Sequence, residues 1–69
     1  MTSAEARQKL GLSQQAFAEL MGGGLSTVQH WEQTGKGHRD PSPQAQELMM
    51  LLVGLYENFP DAYRWWVSR

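Results

Sequence analysis

Apolar residues recur along this chain in short groups with helical spacing, punctuated by glycine and proline, and they predict five helices and no strand. Thr2 and Glu5 stand at capping-box spacing, so a first helix runs from there to about Leu10, where Gly11 closes it. Ser13 is the expected N-cap of a second helix, which places Ala16, Phe17, Leu20 and Met21 on one side. Gly22, Gly23 and Gly24 end that helix and permit the positive φ of a sharp reversal. A third helix spans about Leu25 to Gln33, and the glycine-containing, basic stretch Thr34 to Pro41 reads as a loop. Ser42 and Pro43 supply a cap and a preset first turn for a fourth helix, and a short fifth follows Pro60. The expected fold class is all-α, a single domain over residues 1–69.

The third helix has two unlike faces. At about 100° per residue, Val28 and Trp31 point one way with Glu32 beside them. Ser26, Gln29, His30 and Gln33 point the other way, flanked by Leu25. Hydroxyls, amides and an imidazole hydrogen-bond base edges, an amide pairs bidentately with adenine, and a leucine meets a thymine methyl. A polar helix face standing alone is usually just solvated. Here a preceding helix and a tight glycine turn present it as a helix-turn-helix presents its reading surface to the major groove.

Composition pulls both ways. A formal net charge of −1 is unusual for a protein that grips phosphate. The cations are unevenly placed, however: Lys36 and Arg39, with His38 between them, follow the third helix where a phosphate backbone would pass. Asp40 partly offsets them, and Lys9 is a further candidate contact. The plain alternative for this cluster is a solvated loop. There is no cysteine for a disulfide or thiolate metal site, no run near the roughly 20 apolar residues of a membrane span, and no secretory leader, so a cytoplasmic protein is expected. His30 and His38 lack partners at ligand spacing, so no metal is expected. Gly22–Gly24 has no preceding strand and no following Gly-Lys-Ser/Thr, so it is not a phosphate cradle of the nucleotide-binding kind. Neither an enzyme nor a cofactor is expected.

Arg7-x-x-Leu10-Gly11-Leu12-Ser13-Gln14-x-x-Phe17-Ala18-x-x-Met21-Gly22, followed by Ser26-Thr27-Val28-x-x-Trp31-Glu32, resembles the Cro/C1 (XRE-type) helix-turn-helix family over roughly residues 4 to 55. The resemblance implies a lambda-repressor-like fold and double-stranded DNA as partner. It also implies that Gln14 grips a phosphate, that Leu25, Ser26, Gln29 and His30 face the bases, and that Arg7 pairs with Glu32 for structure. Thr27, Gln33, Lys36, His38 and Arg39 are expected at the phosphate backbone. Two positions depart from the family. Gly23 lacks the usual aliphatic plug, so Leu25 either faces DNA or turns inward to fill that space, and Gly24 lacks the usual Ser or Thr cap.

The last third supplies a core stripe, Ala45, Leu48, Met49, Leu52 and Tyr56, with Val53 at its margin and Met50 and Leu51 well off it. Six consecutive apolar residues, Leu48 to Val53, are too many for a helix covered on one side only. Residues 56–69 form an aromatic segment that either closes the core or mediates self-association. Of them, Phe59, Tyr63, Trp66 and Val67 keep helical spacing, and Trp65 lies off that side. The expected dimer surface is Met50, Val53, Tyr56, Phe59, Tyr63, Trp65 and Trp66. The expectation is a homodimeric repressor on a two-fold operator that controls its own operon, in the style of phage or anti-CRISPR-associated regulators. The alternative is an antitoxin-like module whose aromatic surface holds a partner toxin.

Overall fold

The computed structural model describes residues 1–69 and consists of five helices in the order α1 (Ser3–Leu10), α2 (Gln14–Met21), α3 (Leu25–Glu32), α4 (Pro43–Asn58) and α5 (Pro60–Ser68). The caps act as their residue types dictate. Thr2 Oγ1 accepts the Glu5 N–H at 3.1 Å while the Glu5 carboxylate accepts the Thr2 N–H at 2.9 Å, closing a capping box. Ser13 and Ser42 each accept the N–H three residues on, at 3.1 Å. α1 and α2 both end in left-handed glycines, Gly11 at φ 69° and Gly22 at φ 77°. Behind each glycine the next N–H reaches back to the fifth residue before it, Leu12 to Arg7 and Gly23 to Ala18. Of the three consecutive glycines, only Gly22 uses the left-handed region.

The interior is small, and every helix contributes to it. Ala6 and Leu10, Phe17 and Ala18, Val28, then Met49, Leu52 and Val53, and finally Tyr63 form one buried cluster, ringed by half-buried residues that include Leu12, Leu20, Trp31 and Leu48. α1 packs on α3 and α4, α2 packs on the same two, and α5 rests chiefly on α4. Because α2 is covered by two helices, Ala18 is buried although it lies outside the apolar side predicted for that helix.

The C-terminal third differs from its sequence reading. Val53, placed at the margin of the core stripe and in the dimer surface, is 3% exposed, whereas Tyr56 of that stripe is 41% exposed. Tyr63, also read as interface, is 5% exposed. α5 folds back on α4 at Phe59, whose N–H bonds Leu55 O at 2.7 Å and whose carbonyl accepts the Tyr63 N–H at 3.0 Å. α5 packs on α4 there, Met49 and Leu52 of the expected stripe are buried together with Val53, and Tyr63 lies edge-on to Tyr56 with ring centroids 5.1 Å apart. Val53 and Tyr63 are therefore core residues and leave the expected dimer surface.

Tyr63 carries a cost: its hydroxyl is buried without a hydrogen-bond partner. Burial, with the neighbouring Tyr56 second, pushes its ionisation above the ordinary tyrosine value. A buried hydroxyl with no partner costs about 1–3 kcal/mol. Tyr63→Phe keeps the ring packing and removes that penalty, so the variant is expected to be more stable by about 1 kcal/mol. Thermal melting should register this as a rise of about 4–8 °C, the shift expected per kcal/mol for a domain of this size.

Candidate nucleic-acid interface

One ion pair fixes α3 against the first two helices. Arg7 on α1 meets Glu32 at the end of α3 with two parallel bonds, Nε to Oε2 at 2.7 Å and Nη2 to Oε1 at 3.0 Å. The Arg7 Nη1 donates to Leu12 O at 2.9 Å, in the turn between α1 and α2. Gln14, the first residue of α2, donates its amide to Glu32 Oε1 at 3.3 Å. One carboxylate thus ties three helices together. The Arg7 bonds hold the Glu32 carboxyl below the usual carboxylate range against the opposing effect of burial, and Glu32 in turn raises the Arg7 guanidinium. The two residues expected to pair are in contact, joining α1 to the end of α3. Gln14, expected at a phosphate, joins the same network and is bonded to the end of α3.

With Val28 buried and Trp31 packed at the core edge, the opposite side of α3 is left in solvent. Leu25, Ser26, Thr27, Gln29 and His30 are all exposed there. Leu25 is 37% exposed and does not plug the space beside Gly23, where an added Cβ would meet nothing within 4 Å. The N-cap Gly24 makes no side-chain bond, as its residue type requires, so the first N–H groups of α3 lack a side-chain cap.

The loop after α3 is more ordered than its composition suggests, and it uses two of the expected phosphate ligands. The Gln33 amide donates to Lys36 O at 3.3 Å. His38 Nδ1 lies 2.7 Å from Gln33 O and His38 Nε2 lies 2.8 Å from the Asp40 carboxylate. Both partners only accept, so both contacts are hydrogen bonds only when both ring nitrogens carry a proton, in the imidazolium form. Asp40, first, and the Gln33 carbonyl raise its pKa. Gln33 and His38 therefore brace the loop, and the charge expected of His38 toward phosphate is matched by Asp40.

This clamp has a pH signature. A raised folded-state pKa means that the bonding is complete below the ordinary imidazole value of 6.5 and is lost as pH rises through the higher folded value. Amide exchange at His38 and Arg39 is accordingly expected to accelerate on that rise by more than base catalysis alone explains. His38→Gln should abolish the excess.

The remaining cations sort cleanly. Arg7 is held by Glu32, Lys9 by Glu57 of α4 at 3.7 Å, and Arg64 by Asp61, while the Arg69 guanidinium stacks 3.7 Å above the Trp66 ring. Lys9, considered for a DNA contact, is thus directed to α4. Only Lys36 and Arg39 have no side-chain partner, and both stand in the loop beside the exposed face of α3. Sequence reading placed both residues there but missed the backbone bond that sets them, Arg39 N–H to His30 O at 3.1 Å.

Two short helices at a left-handed glycine turn, the second showing an uncharged polar face with free cations at its exit, make a helix-turn-helix. The chain belongs to the helix-turn-helix family of Cro/C1 type, whose family model matches residues 4–45, and is a DNA-binding transcription regulator by that membership. No curated protein and no solved structure matches it. No helix is long and apolar enough to cross a membrane.

Proposed function

We propose that the protein is a sequence-specific repressor that binds a palindromic promoter operator as a homodimer, blocks polymerase sterically and so regulates its own operon. The observation that carries the reading is the pairing of cations: every basic side chain away from α3 has a partner, and the two without one stand in the loop that follows it. Gln29, His30, Ser26 and Leu25 would face base edges, with Gln14, Thr27, Lys36 and Arg39 at the phosphates. Two free cations per protomer give a weak monomer, because each neutralised phosphate contributes only about −0.9 to the slope of log K against log salt. Doubling the contacts through a dimer brings two recognition helices about 34 Å apart, one helical turn.

The side chains supporting a dimer are Met50, Leu51, Phe59 and Trp65, all about two-thirds exposed, with Tyr56 and Trp66 less so. Trp66 also lines a groove between α2 and α5 with Leu12, Leu20 and Val67. The reading predicts a salt slope of about −4 for the wild type, from about four lysine and arginine contacts. Phe59→Ala with Trp66→Ala should sediment as a monomer at micromolar concentration and halve that slope. A dimer that persists in this variant, with an unchanged slope, places the interface elsewhere. The same exposed aromatics would suit a partner toxin. That reading predicts a stoichiometric protein complex indifferent to changes at Gln29 and His30.

A further inference from the structure

The loop after α3 decides what the His30 imidazole is able to read. His30 Nδ1 lies 3.0 Å from the Gly37 carbonyl oxygen. A carbonyl only accepts, so Nδ1 holds the proton, and a neutral ring then presents Nε2 as a bare acceptor. The loop is built to hold that carbonyl in place. Gly35 at φ 76° and Gly37 at φ 98° take conformations that side chains resist. The His38 N–H bonds Gly35 O at 3.1 Å, and the Arg39 N–H returns to the carbonyl of His30 itself at 3.1 Å. The Gln33 side chain covers Gly37 so closely that an added Cβ would meet its amide nitrogen at 3.0 Å. A ring without this anchor would offer either nitrogen as its N–H and discriminate less.

In the major groove adenine N6 and cytosine N4 are donors, whereas guanine O6 and N7 and thymine O4 are acceptors. Resting on the DNA-binding reading above, we infer that His30 is a fixed acceptor that selects an amino base, adenine or cytosine, over a keto base at one position of each half-site. Gly37 is the positioning residue that sets its tautomer. Gln29, whose amide both donates and accepts, carries no such restriction.

Selection from a pool of random duplexes at neutral pH, with sequencing of the bound fraction, tests this on the full chain. Wild type should show one position per half-site where adenine or cytosine exceeds guanine and thymine by about ten-fold, within the range expected of a good base contact. His30→Lys, which only donates, should reverse the preference at that position and leave the others alone. Gly37→Val should reduce the preference there to about two-fold, because a β-branched residue cannot hold that φ and the carbonyl leaves the His30 ring. A circular dichroism melt confirms that the variant is folded. An enriched motif with a keto base at the position His30→Lys alters, or with no position altered, overturns the inference while leaving DNA binding in place. If wild type enriches nothing, the DNA-binding reading falls and takes the inference with it.

Discussion

Replacing Gln29 and His30 together with alanine is expected to reduce the affinity for the operator by about 10²–10⁴-fold while leaving random duplex binding nearly unchanged. Each good base contact contributes about 1–3 kcal/mol of discrimination, and two of them account for that range. Both side chains are exposed, so the core does not feel their loss. Lys36→Ala with Arg39→Ala should behave in the opposite way, weakening all duplexes alike and lowering the salt slope by about 0.9 per contact. Fluorescence anisotropy on specific and scrambled duplexes across a salt series separates the two patterns. Equal losses on both duplexes from both variants would contradict the division of roles.

Arg7→Ala is expected to destabilise the fold by about 2–4 kcal/mol, somewhat below the 3–5 typical when one partner of a fully buried pair is removed. The pair is only partly shielded, with side chains 19% and 11% exposed, which is why the lower range applies. The change strands the Glu32 carboxylate with Gln14 as its remaining side-chain donor, and it also frees Leu12 O in the α1–α2 turn. A domain of this length is worth roughly 3–10 kcal/mol in total, so the loss is a large share of its stability. Arg7→Met with Glu32→Leu removes both charges and should regain most of the loss, because no charge is left uncompensated. Acid gives the same diagnosis. With its folded pKa depressed, the stabilising share of Glu32 is complete above its ordinary value of 4.5 and disappears as pH falls through the folded value. Urea melts from pH 6 downward should show wild type losing stability that Glu32→Gln does not have to lose.

The N-terminal two-thirds were readable because local chemistry decides them. Thr2, Ser13, Gly11, Gly22, Ser42 and Pro43 act within a few residues of themselves, and they mark helix starts and stops wherever the rest of the chain goes. The faces of α3 were readable for the same reason, since Val28 and Gln29 differ in polarity and the helical period does the rest. The C-terminal third was harder. Six apolar residues in a row leave the helical period without contrast, so which of them turns inward is set by the packing of α1, α2 and α5 on α4, a tertiary feature. Tyr63 is a case in point: with helical spacing and a polar tip it suits an interface as well as an interior, and only α5 lying back on α4 places it inside.

The loop shows a different kind of gap. Its residues were read as phosphate ligands by type, because charge at the exit of a recognition helix is meaningful on average. Whether a given polar group faces outward depends on hydrogen bonds between residues whose backbone geometry composition does not encode. Gln33 and His38 are tied into the loop while Lys36 and Arg39 are not. The signal that was present, two glycines flanking Lys36, marks left-handed backbone at Gly35 and Gly37 but not the direction of the Gly37 carbonyl.

The most direct test of the account is amide chemical-shift mapping of the full chain titrated with a duplex recovered by selection, beside a scrambled duplex of equal length. The account predicts saturable shifts at Gln14, Leu25 through His30, Lys36 and Arg39 with the selected duplex, and weaker, salt-labile shifts over the same surface with the scrambled one. Shifts confined to the outer faces of α4 and α5, or identical titrations for both duplexes, would contradict it.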